Sequence, residues 1–331
     1  MKGIPPNEAR VVFAAGNFWC ARRLGGCGTG AHGGWRSHVP LIPSATLYPD
    51  PKEFSTHPTA FPRGRTIAAV SSSTDASAHG GFGPLVPHFY NVPYDDLPAL
   101  EAAICHPNVA AFMVEPVQGE AGCVVSSPGY LAAVSALCKK HNVLFIADEV
   151  QSGLGRCGAM LASHAAGARP DIVCLGKALG GGVYPVSAVL ADDAVMSVIK
   201  PGQHGSTWGG NPIACAVGTA SLKVLIDEEL PQNAKHIGDS LMSDLRSIAS
   251  DSGGILSTVR GQGLLVGIVV NTGHKGATAW DFCERMIARG VLCKPTGAKG
   301  DVIRFAPPLT MSAGQAELAA DVVSKVVRSY A

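Results

Sequence analysis

The stretch Asp171-Ile172-Val173-Cys174-Leu175-Gly176-Lys177-Ala178-Leu179-Gly180-Gly181-Gly182 decides how this chain is read. Four apolar residues in a row, without alternation, predict a strand buried on both faces, as in the interior of a parallel sheet. The strand delivers one lysine at its end and then breaks into glycines. Two earlier apolar runs end the same way but in acids: Ala110 to Val114 leads into Glu115, and Val143 to Ala147 leads into Asp148. Ligands of open α/β sheets bind at the carboxyl edge of the strands. One amine and two carboxylates brought to that edge predict a site for an amine-reactive cofactor.

Outward from these strands the pattern alternates. Asp95 and Asp96 stand ready to cap a helix with Pro98 in its first turn and Leu97, Leu100 and Ile104 on one face. A second helix is expected from Gly129 to His141, with Leu131, Val134 and Cys138 inward, and a short one near Ala159 to Ala166. Helix alternating with buried strand implies α/β architecture, a mostly parallel sheet with right-handed crossovers. At Asp227-Glu228-Glu229-Leu230-Pro231 the texture changes. Beyond it the pattern predicts helices at 233–250 and 278–289, hairpin-like strands around 263–270, and strands at 291–294 and 302–305. A last helix starts at the Ser312/Gln315 capping box, with Leu318, Val322 and Val326 as its stripe. The expected domains are therefore 1–228 and a smaller α+β unit at 229–331.

The 331 residues, formal charge +1 and 47% hydrophobic content suit one large and one small domain. Near-zero charge gives no electrostatic case for nucleic acid or an acidic membrane, and no apolar run reaches the length of a membrane span. Met1 to Arg10 has neither the apolar core of a secretory signal nor a transit-peptide pattern; with the targeting region absent from this sequence, cytoplasm or mitochondrial matrix is expected. The ten cysteines form no C-x-x-C pair, and Cys105, Cys138 and Cys174 sit inside apolar patterns, so reduced thiols are expected. No His/Cys spacing suggests a metal. Gly153-Leu154-Gly155-Arg156-Cys157-Gly158 is a literal G-x-G-x-x-G, but it begins five residues after the strand ends, and Gly28 to Gly33 repeats it in low-complexity sequence. The segment Cys20 to Arg63 holds six Gly and six Pro in 44 residues with no apolar period, and is expected to be a disordered insert.

Several collinear stretches resemble the ornithine aminotransferase family, class III enzymes of fold type I that use pyridoxal 5′-phosphate (PLP). They are Val12 through Trp19 (VFAAGNFW), Gly64-Arg65-Thr66, Ser71 through Asp75, Val109 through Gly122 (VAAFMVEPVQGEAG), Leu144 through Arg156 (LFIADEVQSGLGR), Leu175 through Ala188, His204 through Pro212 (HGSTWGGNP) and Ile303 through Leu309. The chain departs from the family in two ways. Gly64-Arg65-Thr66 is separated from Trp19 by the odd segment, which the resemblance marks as translated intron or a gene-model error. The chain also starts where the family is already inside its large domain, so a phosphate-binding turn is missing.

The resemblance implies that Lys177 carries the cofactor covalently and shuttles a proton, and that Asp148 keeps the pyridine nitrogen protonated. It implies that Gln151 reaches the ring hydroxyl, Phe18 stacks on the ring and Glu115 lies near it. Ser206 and Thr207 would reach the phosphate of a neighbouring subunit's cofactor, which makes a homodimer with shared sites. Arg304 would bind the α-carboxylate of glutamate or 2-oxoglutarate and be held aside by Glu120 when ornithine binds. Arg65 would take the distal carboxylate, and Trp19 would line the substrate cleft. An inactive relative, or a neighbour acting on acetylornithine or 4-aminobutyrate, stands as the alternative.

Overall fold

The computed structural model describes residues 66–73, 80–87, 89–107 and 109–330, together with the backbone of 9–14. Its larger sheet is assembled from β1 (Ala9–Ala14), β2 (Ala111–Val114), β5 (Leu144–Asp148), β6 (Ile172–Leu175) and β7 (Ser187–Asp192), in the order β1-β7-β6-β5-β2. β2, β5 and β6 pair in parallel, with Met113 opposite Ile146 and Ala147 opposite Val173. β7 runs against both β6 and β1, so four strands share one direction and a single strand opposes them. β6 is buried throughout and β5 nearly so, as their unbroken apolar runs require. Because β2, β5 and β6 are parallel neighbours, their carboxyl ends meet along one edge.

Helices cover this sheet. The helix Leu97–Ile104 starts where Asp96 accepts a hydrogen bond from Ala99 N–H at 2.9 Å, and it buries Leu100 and Ile104. Against it lies Tyr130–Lys140, entered through Gly129 in the left-handed conformation and burying Leu131, Val134 and Cys138. Among the elements not expected are β7 and the helix Pro212–Asp227 capped by Asn211. The helix expected from residue 233 begins earlier, at Leu230, and runs to Ser250.

A second, antiparallel sheet has the order β10-β11-β9-β8. β8 (Leu256–Gln262) and β9 (Leu265–Val270) form a hairpin whose first strand lies upstream of the expected 263–270. β10 (Lys294–Thr296) starts later than the expected 291, while β11 (Val302–Phe305) falls where expected. The delay has a local cause. Residues 288–291 terminate the helix Ala279–Ile287: Gly290 adopts a left-handed conformation, and Val291 N–H reaches back to the Met286 carbonyl at 3.0 Å. The last helix, Ala313–Arg328, carries the full capping box between Ser312 and Gln315. Of its expected stripe, Val322 and Val326 are buried, together with Ala316, Ala319, Ala320, Val323 and Val327, whereas Leu318 is 60% exposed.

The β8–β9 turn docks on the loop after β5. A Cβ on Gly263 would lie 2.6 Å from the backbone of Cys157 and Gly158, so the turn approaches at glycine distance. Leu264 N–H donates to the Arg156 carbonyl, and Arg156 Nη1 donates back to Leu264 O, both at 3.0 Å. One continuous apolar core, from Leu175 and Leu179 through Leu241 and Ile268 to Val326, runs beneath both sheets. The small sheet thereby holds β11 over the carboxyl edge of β5. Of the cysteines read as core, Cys138 and Cys174 are buried but Cys105 is exposed at a helix end.

Candidate active site

Glu115 follows β2, Asp148 ends β5 and Lys177 follows β6, so the three charges stand in a row on the shared edge. Glu115 and Asp148 are buried. Glu115 Oε2 accepts from Gly119 N–H at 3.1 Å, and Asp148 Oδ1 accepts from Val150 N–H at 3.0 Å. Burial pushes both carboxyls above their ordinary range; the charge of Asp148 raises Glu115 further, and the Lys177 ammonium opposes the rise in each.

Lys177 itself is strained. It is a non-glycine residue with φ +43° at the head of a short 3-10 turn, Lys177–Gly180. Its side chain reaches solvent, yet the surrounding protein lowers its pKa below the ordinary lysine value, more than Asp148 and Glu115 raise it. An amine that loses its proton more readily is what nucleophilic attack and proton transfer by one lysine require.

A second cluster borders the first. β3 (Val117–Gln118) and β4 (Val124–Val125) form a small hairpin with Glu120 in its loop. Arg304 Nη1, on β11, lies 2.6 Å from Glu120 Oε1 and 3.1 Å from Gln151 Oε1. Lys294 Nζ, on β10, lies 3.6 Å from Glu120 Oε2. The loop is fastened from below: Arg260 Nε donates to Gly122 O at 2.8 Å, and Thr296 Oγ1 and Gly297 N–H donate to Glu120 O at 2.9 and 3.1 Å. An arginine engaging a carboxylate can exchange it for the carboxylate of a ligand.

The structure thus brings together Lys177, Asp148, Glu115, Gln151, Glu120 and Arg304. Ser206 and Thr207 are not in this cluster. They are exposed on the segment leading into the 212–227 helix, where Ser206 Oγ accepts from Gly209 N–H at 2.9 Å. Phe18, Trp19, Arg65 and the segment Cys20–Arg63 lie outside the described residues. Sequence reasoning missed Lys294, Gly119 and Glu149. Glu149 is buried and accepts from Ser152 Oγ, Ser163 N–H and Ser163 Oγ, each at 2.7 Å, which secures the loop that carries Gln151. Two adjacent acids after an apolar strand were the available signal for it. Among the described residues no His/Cys/Asp/Glu group could hold a metal ion, and no helix is long and apolar enough to cross a membrane.

The family model described as aminotransferase class III matches residues 53–327. A Caenorhabditis elegans protein named "Probable ornithine aminotransferase, mitochondrial" is 50% identical over 331 residues, which is 100% of this chain and 66% of that protein. The mitochondrial ornithine aminotransferase of Rattus norvegicus is 46% identical over 100% of this chain and 64% of its own length. The chain therefore spans just under two-thirds of these relatives. Among solved structures, ornithine aminotransferase from Toxoplasma gondii superposes with a TM-score of 0.77 at 44% identity, covering 80% of this chain and 62% of that one; that protein holds PLP at partial occupancy in its active site. Class III aminotransferases depend on PLP, and the donor set here fits that group. A lysine of lowered pKa suits the aldehyde carbon, and a buried carboxyl at the next strand end suits a protonated ring nitrogen.

Proposed function

Because the chain belongs to the class III aminotransferase family, we propose that it works as an ornithine δ-aminotransferase, passing the δ-amino group of ornithine to 2-oxoglutarate. The products are glutamate and glutamate 5-semialdehyde, which cyclises to pyrroline-5-carboxylate. The observation that carries this reading is the juxtaposition of the Lys177/Asp148 pair with an arginine already engaged by an internal glutamate, Arg304 with Glu120.

PLP, when bound, supplies an electron sink for the charge that develops at the reacting substrate carbon. Lys177 Nζ would hold the group and carry the proton to be moved at the substrate, a task helped by its lowered pKa. Asp148, fixed by Val150 N–H, holds the proton on the ring nitrogen. Glu115 borders the ring and Gln151 reaches the ring hydroxyl. By family resemblance, Phe18 would stack on the ring and Trp19 would line the cleft.

Substrate choice follows from Arg304. With Glu120 in its grip it presents no free cation, which suits ornithine entering with its δ-amino end towards Lys177. Released from Glu120, it binds the α-carboxylate of 2-oxoglutarate or glutamate, while Arg65 binds the distal carboxylate. Ser206 and Thr207 serve the cofactor phosphate of a second copy. The exposed apolar side chains Val183, Trp208 and Ile213 support a homodimer in which that segment is covered. We place the division of the chain at residues 228 and 229, between a PLP-binding large domain and a smaller C-terminal domain. The mitochondrial matrix is the proposed compartment, after the names of the relatives.

The experiment is to incubate the purified chain with PLP, reduce with borohydride and map the pyridoxyl-bearing peptide. It is paired with donor assays on ornithine, acetylornithine and 4-aminobutyrate. The reading expects label on Lys177 and amino transfer from ornithine. Label on another lysine, or a preference for one of the other donors, would overturn it.

A further inference from the structure

Arg304 has two partners to satisfy in turn under the proposed function, on which this inference rests: Glu120 in one half-reaction and a substrate carboxylate in the other. When the guanidinium leaves, Glu120 becomes a carboxylate that is only 13% exposed and has lost its closest counter-ion. The two oxygens of Glu120 face two different cations. Oε1 faces Arg304 at 2.6 Å, and Oε2 faces Lys294 at 3.6 Å. Lys294 and Arg304 are direct partners in the β10–β11 register, so both cations sit on one rigid ladder.

The decisive feature is how Glu120 is tied down. Its carbonyl accepts from Thr296 Oγ1 at 2.9 Å and from Gly297 N–H at 3.1 Å. Thr296 ends the short strand that begins with Lys294. Motion of the Arg304 side chain leaves those bonds untouched, so Glu120 and Lys294 stay on one anchored unit while Arg304 turns away. A lysine suits the waiting position: its ammonium is a point charge on a flexible stem, able to close from 3.6 Å without the planar alignment that an arginine demands.

We propose that Lys294 is the holding cation of this site. It takes over the Glu120 carboxylate whenever Arg304 binds a substrate carboxylate, and so favours dicarboxylate ligands without taking part in the binding of ornithine. It is a positioning residue, acting through Glu120 and Arg304.

The test is calorimetric binding of glutarate and of ornithine to the full chain without added cofactor, so that neither ligand reacts. Lys294→Met is expected to weaken glutarate roughly fivefold, the upper end of what a half-exposed ion pair contributes. Ornithine affinity should stay unchanged or tighten, and Lys294→Arg should restore glutarate. A merely structural role would weaken both ligands together, and that result overturns the proposal, as does unchanged glutarate binding in Lys294→Met. Arg304→Ala separates the two levels. If it leaves glutarate binding intact, or if the unaltered chain binds no glutarate, the carboxylate reading of Arg304 fails and the holding role falls with it. Loss of glutarate binding in Arg304→Ala beside no effect of Lys294→Met refutes Lys294 alone.

Discussion

Glu120 and Arg304 are 184 residues apart in the chain, yet they form a 2.6 Å ion pair in which each side chain is only 13% exposed. Such a pair exists because the β3–β4 hairpin is fastened onto the antiparallel sheet, and it couples the two sheets at the point where substrate would enter. Removing Glu120 leaves the Arg304 guanidinium desolvated and facing the neutral Gln151 amide. Glu120→Ala is therefore expected to lower stability by about 3 kcal/mol, the low end for breaking a buried pair. Arg304→Ala added to it should recover part of that loss, since no unpaired cation remains. Urea denaturation of the two single variants and the double variant checks the cycle, and strictly additive losses would contradict the coupling.

Lys177 sits at φ +43°, a conformation open to glycine and costly for other residues. Lys177→Ala and Lys177→Gly both remove the amine, so both should abolish borohydride-trapped PLP. They should differ in stability: the glycine variant is expected to be about 1 kcal/mol more stable than the alanine variant, the usual scale of strain at such a position. Guanidinium midpoints in the absence of cofactor decide this, and an alanine variant at least as stable as the glycine variant would show that the backbone is relaxed there.

Much of this site was legible because strand ends are conspicuous. Apolar runs that stop in Glu115, Asp148 and Lys177 announce both a buried parallel sheet and what stands at its edge. Capping chemistry was equally plain at Asp96 and Ser312. The helix Pro212–Asp227 escaped although Asn211 and Pro212 mark its start. Its residues are apolar on several sides, so Ile213, Val224 and Ile226 are exposed while only Ala214, Gly218 and Leu225 are buried, and no single stripe emerges. β7 escaped because it follows β6 after only a short 3-10 turn and pairs with it antiparallel, outside the helix–strand alternation that marked the parallel strands. Lys294 could not be found before its register was known: only the pairing of Lys294 with Arg304 across β10 and β11 shows that both face one glutamate.

Buried carboxyls make the cofactor-free protein sensitive to alkali. Burial first, and the charge of Asp148 second, push the Glu115 carboxyl from 4.5 up to about 8. A carboxyl whose pKa is raised on folding binds its proton more tightly in the native state than in the unfolded one. Its penalty is absent below about pH 4.5 and grows as pH climbs through 8, so stability falls across that window. Asp148, raised for the same first reason, adds to the fall at the acidic end. Denaturation between pH 5 and 8.5 is expected to show this decline, and Glu115→Gln should remove most of it. A wild-type protein that gains stability over the same range would mean that Glu115 is ionised throughout.

Gly119 links the two clusters. Its N–H holds Glu115 at 3.1 Å, and a Cβ built on it would stand 2.5 Å from Gln151 Oε1 and 2.7 Å from Gln151 Cδ. Gly119→Ala must therefore push the Gln151 amide aside and break its 3.1 Å contact with Arg304 Nη1. The expected cost is about 1 kcal/mol, the low end for overpacking, because the obstacle is the far end of a flexible side chain. Because the obstacle is a side chain and not backbone, it can be cut away. Gln151→Ala in the Gly119→Ala background should return the steric part of the loss, although Gln151→Ala alone should be mildly destabilising. Thermal unfolding of the three variants reads this sign reversal directly. If the second substitution fails to rescue the first, the clash lies elsewhere, and the close approach of Gln151 to Gly119 is not what keeps this position free of a side chain.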